Sequence, residues 1–131
     1  MLLFAERNMK AWLEVKNKRS CFILARFKNK QGITSITGRK RISLYCPIGK
    51  DYYTADIDVS LVPDKVIMDY CELDTYLNNQ SGLSLIIEDL IDNVYNHLQS
   101  EYKPKSLTVN VKAYSNTHLP VEVSKCSEDV A

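Results

Sequence analysis

A chain of 131 residues and 15.0 kDa fits one domain, because two would leave each half too small to enclose a core. Hydrophobic residues at 45% and charged residues at 25% exclude intrinsic disorder, a collagen-type repeat and a coiled coil. The longest apolar run is Cys21 to Ala25, and Met1-Leu2-Leu3-Phe4 is interrupted by Glu6 and Arg7, so neither a membrane span nor a signal peptide is indicated and a cytoplasmic location is expected.

The net charge of +1 conceals a division: residues 1 to 50 carry twelve Lys/Arg against two acids, whereas residues 51 to 131 carry five against fourteen. Such asymmetry suggests a polyanion-binding surface on the N-terminal part, centred on Arg39-Lys40-Arg41; the alternative is that the halves neutralise each other, within a subunit or between subunits. The four cysteines, at 21, 46, 71 and 126, form no C-x-x-C pair. No metal site is expected from that spacing, and cytosolic thiols stay reduced.

In chain order, residues 3 to 18 form a charged helix or arm. Residues 21 to 28 and 33 to 37 predict a hairpin around Asn29-Lys30-Gln31-Gly32, and a further short strand follows at 41 to 46. From Thr54 to Val62 the chain alternates, with Ala55, Ile57, Val59 and Leu61 on one face, until Pro63-Asp64 ends the strand. A short helix is expected at 70 to 77. Leu83, Ile86, Ile87, Leu90, Ile91, Val94 and Leu98 recur at helical spacing, which predicts one long helix capped by Ser81 or Ser84, with Glu88 and Asp89 in its first turns. Leu107 to Tyr114 alternates again, and Leu119 to Ser124 returns beside it. The resulting class is α+β, an antiparallel sheet with two helices on one face in strand-strand-helix-helix-strand-strand order. A basic arm and hairpin (1–40), the main domain (41–125) and a tail (126–131) are its expected divisions.

Two side chains draw attention as chemistry. Cys46, in Leu44-Tyr45-Cys46-Pro47-Ile48-Gly49-Lys50, lies where a strand meets a loop, and the neighbouring Lys40, Arg41 and Lys50 would favour its thiolate. Glu88 presents two acceptor oxygens that match adjacent N–H donors on a guanine or pterin edge.

The segment LYCPIGK, the alternating strand after it, Val62-Pro63-Asp64, Tyr76-Leu77, Glu88-Asp89 and Pro104 together resemble the tunnelling-fold enzymes that act on 7-cyano-7-deazaguanine: the QueF nitrile reductases and the short QueF-like amidinotransferases of archaeosine biosynthesis. The resemblance spans residues 43 to 124. It implies an oligomeric barrel with sites between subunits, Cys46 as the nucleophile that forms a thioimide with the nitrile, and Glu88 as the acid that grips the purine edge. Where the family has its proton-donating aspartate this chain has Tyr53, so Tyr53 or a repositioned Asp51 is left to supply the proton; the histidine that usually precedes the glutamate is Ile87. The reductases' lysine-bearing motif is replaced by the acidic window Met68 to Asp74, which disfavours NADPH. The implied function is therefore a cofactor-free amidinotransferase that converts the nitrile in tRNA, or as a free base, to an amidine with ammonia as donor, with Arg39, Lys40 and Arg41 on the tRNA. An NADPH-dependent reductase and a non-catalytic purine- or pterin-binding protein are the alternatives.

Overall fold

The computed structural model describes residues 28 to 127; the expected N-terminal arm, and the first strand of the expected hairpin up to residue 27, lie outside them. Strands β1 (Ile36–Cys46), β2 (Asp51–Val62), β3 (Ser106–Tyr114) and β4 (Val121–Cys126) form one sheet in the order β1-β2-β3-β4. Every neighbouring pair is antiparallel. Between β2 and β3 come helices α1 (Tyr70–Gln80) and α2 (Ile87–Tyr102), with α1 packed on β1 and α2 on β3 and β4. The expected order of elements is observed. Among the described residues, no helix is long and apolar enough to cross a membrane.

The two alternating strands bury the faces that their period of two assigns. Ala55, Ile57, Val59 and Leu61 of β2 and Leu107, Val109, Val111 and Ala113 of β3 are all buried, against Leu90, Ile91, Val94 and Leu98 of α2. Burying each such aliphatic side chain contributes roughly 1.5–3 kcal/mol, so this shared face holds the helices on the sheet. The opposite face of the sheet is polar and uncovered by any described element, with Arg39, Arg41, Lys112 and Tyr114 exposed on it.

Three expected boundaries are corrected. β1 is a single strand from Ile36 rather than two pieces, because Gly38 and the basic triplet pair in register with Val59 to Asp56 of β2. The long helix starts at Ile87, not at a serine cap. Ser81 instead ends α1, Gly82 turns with φ of 86°, and residues 82–85 run beside β1: Gly82 N–H donates to the Ser43 carbonyl (2.7 Å), Tyr45 N–H to Leu83 (3.0 Å), and Leu85 N–H to Tyr45 (3.0 Å). These pairings satisfy the backbone that a further helical turn would otherwise occupy, and a local periodicity carries no sign of them. Ile86 therefore sits at the α2 start with no side-chain cap. β4 begins two residues late, at Val121, since Pro120 lacks the N–H for ladder pairing.

Helices α1 and α2 are tied by one carboxylate. Asp69 caps α1 by accepting from the N–H groups of Cys71 and Glu72. The Glu72 carboxylate accepts from the Tyr102 hydroxyl at 2.6 Å and pairs with His97 Nε2 at 2.8 Å, while Tyr76 stacks on the His97 ring with centroids 3.7 Å apart. Burial, and then the bond to Glu72, pushes the Tyr102 hydroxyl well above the usual phenol range. Glu72→Ala strands the buried Tyr102 hydroxyl and the part-buried His97 ring and is expected to cost about 2 kcal/mol, read as a lowered urea midpoint with unchanged slope. An unshifted midpoint would show that the clasp contributes nothing. Asp74 in the same window pairs with Lys40 at 2.7 Å, so the acids of residues 68 to 74 are engaged in structural bonds.

Candidate active site

Cys46 closes β1 on the helix side of the sheet, in the alternation that buries Ile42 and Leu44. Its thiol is half-buried, and the Gly49 N–H points at Sγ from 3.3 Å. The turn is fixed by Lys50, whose N–H donates to the Cys46 carbonyl at 2.7 Å and whose φ is 58°. A Cβ on Gly49 would stand 3.7 Å from the thiol and 3.6 Å from Thr117 Oγ1, which places the β3–β4 loop against the β1–β2 turn beside Cys46.

Asp51 is the register partner of Cys46 at the mouth of this strand pair, so both side chains start from the same face and their Cβ atoms lie about 5 Å apart. One Asp51 oxygen accepts from the Tyr52 N–H at 2.8 Å. Tyr53 is buried, and its hydroxyl donates to the Leu85 carbonyl at 2.6 Å. Burial, and then the charges of Cys46, Glu88 and Asp89, push that hydroxyl up to about 12. All three charges therefore act on one phenol, and Cys46 and Glu88, 42 positions apart in sequence, belong to one locality.

The strand-like segment 82–85 explains that convergence. Bound to the edge of β1 at Ser43 and Tyr45, it delivers the uncapped start of α2 to the Cys46 end of the sheet, with Glu88 and Asp89 in the first turn. Glu88 is exposed and makes no hydrogen bond or ion pair among the described residues, which leaves both oxygens available to a ligand. Ile87 packs against the core. His118 is exposed in the β3–β4 loop, with Nδ1 2.6 Å from the Leu119 carbonyl.

The basic triplet does not assemble as one patch. Strand alternation sends Lys40 to the helix side, onto Asp74, and turns Arg39 and Arg41 to the open face. There Arg39 meets Asp58 at 3.4 Å, and Arg41 grips Asp56 through two bonds of 2.6 and 2.9 Å. That guanidinium holds the Asp56 carboxyl below the usual range. The cations expected around Cys46 are thus partly engaged elsewhere: of Lys40, Arg41 and Lys50, the first two face aspartates. Sequence reasoning missed Thr117 and the 82–85 segment, which only a three-dimensional register shows, and it placed Asp89 beside Glu88 without linking it to Tyr53. Among the described residues, no group of three His, Cys, Asp or Glu side chains could hold a metal ion.

No family model and no curated protein sequence matches this chain. Among solved structures, the archaeosine synthase QueF-Like in its apo form superposes with a TM-score of 0.69 at 21% identity, covering 75% of this chain and 97% of that one. This chain has the tunnelling fold. A protein from Vibrio cholerae O1 biovar El Tor assigned as a dihydroneopterin aldolase (FolB) shares it with a TM-score of 0.54 at 10% identity, over 71% of this chain and 97% of its own. The tunnelling fold places two helices on one face of a four-stranded antiparallel sheet, as observed here.

Proposed function

We propose that the chain is a 7-deazaguanine-modifying enzyme of the amidinotransferase type: the Cys46 thiolate adds to the nitrile carbon of 7-cyano-7-deazaguanine carried in tRNA, the nitrile nitrogen takes a proton, and ammonia then displaces the thiol to leave an amidine. The observation that carries the reading is the meeting of Cys46, Asp51 and the Glu88 end of α2 at one end of the sheet. A nitrile is a weak electrophile, and thiolate addition converts it to a thioimide that an amine attacks readily. Protonation of the nitrile nitrogen falls to Asp51, which faces the thiol across the strand pair, takes the thiol proton as the thiolate forms and passes it to the nitrogen; the Tyr53 hydroxyl already donates its hydrogen bond to Leu85. Glu88 receives the amide and amino edge of the purine. No redox cofactor enters this scheme. Incubating the protein with ammonium salt and tRNA bearing the nitrile base, then digesting the RNA to nucleosides, tests it: the product should be heavier by one ammonia. Persistence of the nitrile nucleoside, with the protein folded, would remove the activity.

Oligomerisation is part of the same reading. β1 and β4 are the edges of the sheet, and cross-strand register on the open face aligns Arg41, Asp56, Lys112 and Glu122 in a row of alternating sign. Pairing β4 of one copy with β1 of the next continues that row by setting Glu122 beside Arg41, whereas β1–β1 or β4–β4 pairing puts like charges together, which is unfavourable. Glu122→Arg is expected to lower the assembled fraction in sedimentation velocity; an unchanged distribution would exclude this edge pairing.

A further inference from the structure

The open face carries two adjoining hollows that the reaction above does not use. The first, of about 310 Å³, lies at the Cys46 end and is bounded by Ser43, Tyr52, Tyr53, Thr54, Tyr114, Ser115 and Asn116. None of these side chains is charged. Tyr52 and Tyr114 are 68% and 41% exposed, large apolar rings left in water beside hydroxyls and an amide. Tyr52 is held edge-on against Tyr45, centroids 5.1 Å apart, and Ser115 is fixed by its 2.9 Å contact with Thr117. The second, of about 410 Å³, shares Tyr114 as a wall and is lined by Arg39, Lys40, Arg41 and Lys112 with Asp56 and Asp58. Three open-face cations there face two carboxylates, and Lys112 makes no ion pair among the described residues. Lys112 and Tyr114 are two positions apart on one strand face, about 7 Å.

An aromatic ring beside neutral hydrogen-bonding groups, one strand step from a cationic hollow, has the layout of a nucleotide: a base to stack, ribose hydroxyls to bond, and a phosphate to neutralise. We infer that this face binds a nucleotide unit, its base against Tyr114, its ribose toward Ser115 and Asn116, and its phosphate on Lys112. Ser115 bonds Thr117, whose hydroxyl lies beside Gly49, so this subsite adjoins the Cys46 rim. The inference deepens the reading above and rests on it for its biological sense, since a base reacting within tRNA brings neighbouring nucleotides with it.

The test is equilibrium binding by the full chain of guanosine 5′-monophosphate, guanosine and a tRNA transcript, repeated with Tyr114→Ala, Tyr114→Phe and Lys112→Glu, each checked for unchanged far-ultraviolet circular dichroism. Tyr114→Ala should weaken binding about tenfold, as expected for loss of one base stack, and Tyr114→Phe should restore it. Lys112→Glu should weaken the monophosphate and the tRNA but not guanosine, and reduce the salt dependence of tRNA binding by about one phosphate contact. These losses with the monophosphate would assign a free nucleotide to the subsite, and the same losses with tRNA alone would assign a polynucleotide. Equal affinities for all variants, or no binding of any of the three probes, would overturn the inference. Because the readout requires no thioimide, nucleotide binding through Tyr114 without reaction at Cys46 would remove only the proposed activity, and reaction at Cys46 without Tyr114-dependent binding would remove only this subsite.

Discussion

Cys46→Ala is expected to abolish the covalent adduct with 7-cyano-7-deazaguanine and to lower amidine formation by about three orders of magnitude or more, the scale of losing a nucleophile. In intact-protein mass spectrometry the unaltered chain should gain the mass of the whole ligand and the variant none. The expectation belongs to Cys46 and not to the other described thiols because of place. Cys71 is exposed in the first turn of α1, and Cys126 is half-buried against Thr108 Oγ1 at 3.4 Å. Neither faces a carboxylate across a strand pair or lies near the start of α2. Cys71→Ser should therefore leave the adduct intact. An adduct that survives in Cys46→Ala would move the chemistry to another cysteine and dissolve the role assigned to Asp51.

How far this site was readable in advance depends on the kind of contact. β2 and β3 announce themselves because alternation is a local consequence of one buried face, and Ala55, Ile57, Val59 and Leu61 could hardly pack otherwise. The order of elements and the tunnelling fold follow from such local patterns and from the resemblance around LYCPIGK. The start of α2 does not. Ile86 and Leu83 fit a helical period, yet residues 82–85 gain backbone partners on β1, a non-local pairing with no signature in the segment itself. That same pairing carries the Glu88 end of α2 to the Cys46 end of the sheet, so the element that sequence misplaced is the one that brings the two parts of the candidate site to one locality. The basic triplet is divided for a different reason. Arg39-Lys40-Arg41 looks like one patch in a linear reading, but a strand splits neighbours between faces, and each cation meets an aspartate of β2 or α1.

The clearest division of labour to test is between Asp51 and Tyr53. Asp51→Asn removes the proposed proton donor and should lower thioimide formation by 10²–10⁴-fold, the usual contribution of a positioned general acid, with little change in fold, because the Tyr52 N–H keeps an amide oxygen to bond. Tyr53→Phe should behave oppositely. It removes the hydroxyl that ties Leu85 to the sheet and leaves a carbonyl without its donor, at a cost of about 1–2 kcal/mol, while reducing rate far less than Asp51→Asn. The pH dependence separates the two further. The Tyr53 hydroxyl titrates near 10 in an unfolded chain and is pushed up to about 12 when folded, so the folded state keeps a proton that the unfolded state releases. Its stabilising contribution is therefore fully present below pH 10 and declines as pH rises through about 12, at up to about 1.4 kcal/mol per pH unit. The stability difference between the unaltered chain and Tyr53→Phe, from urea unfolding at a series of pH values, should be constant below pH 10 and shrink above it. If instead Tyr53→Phe abolishes the adduct and Asp51→Asn does not, the proton comes from the phenol, and the bond to Leu85 must open during the reaction.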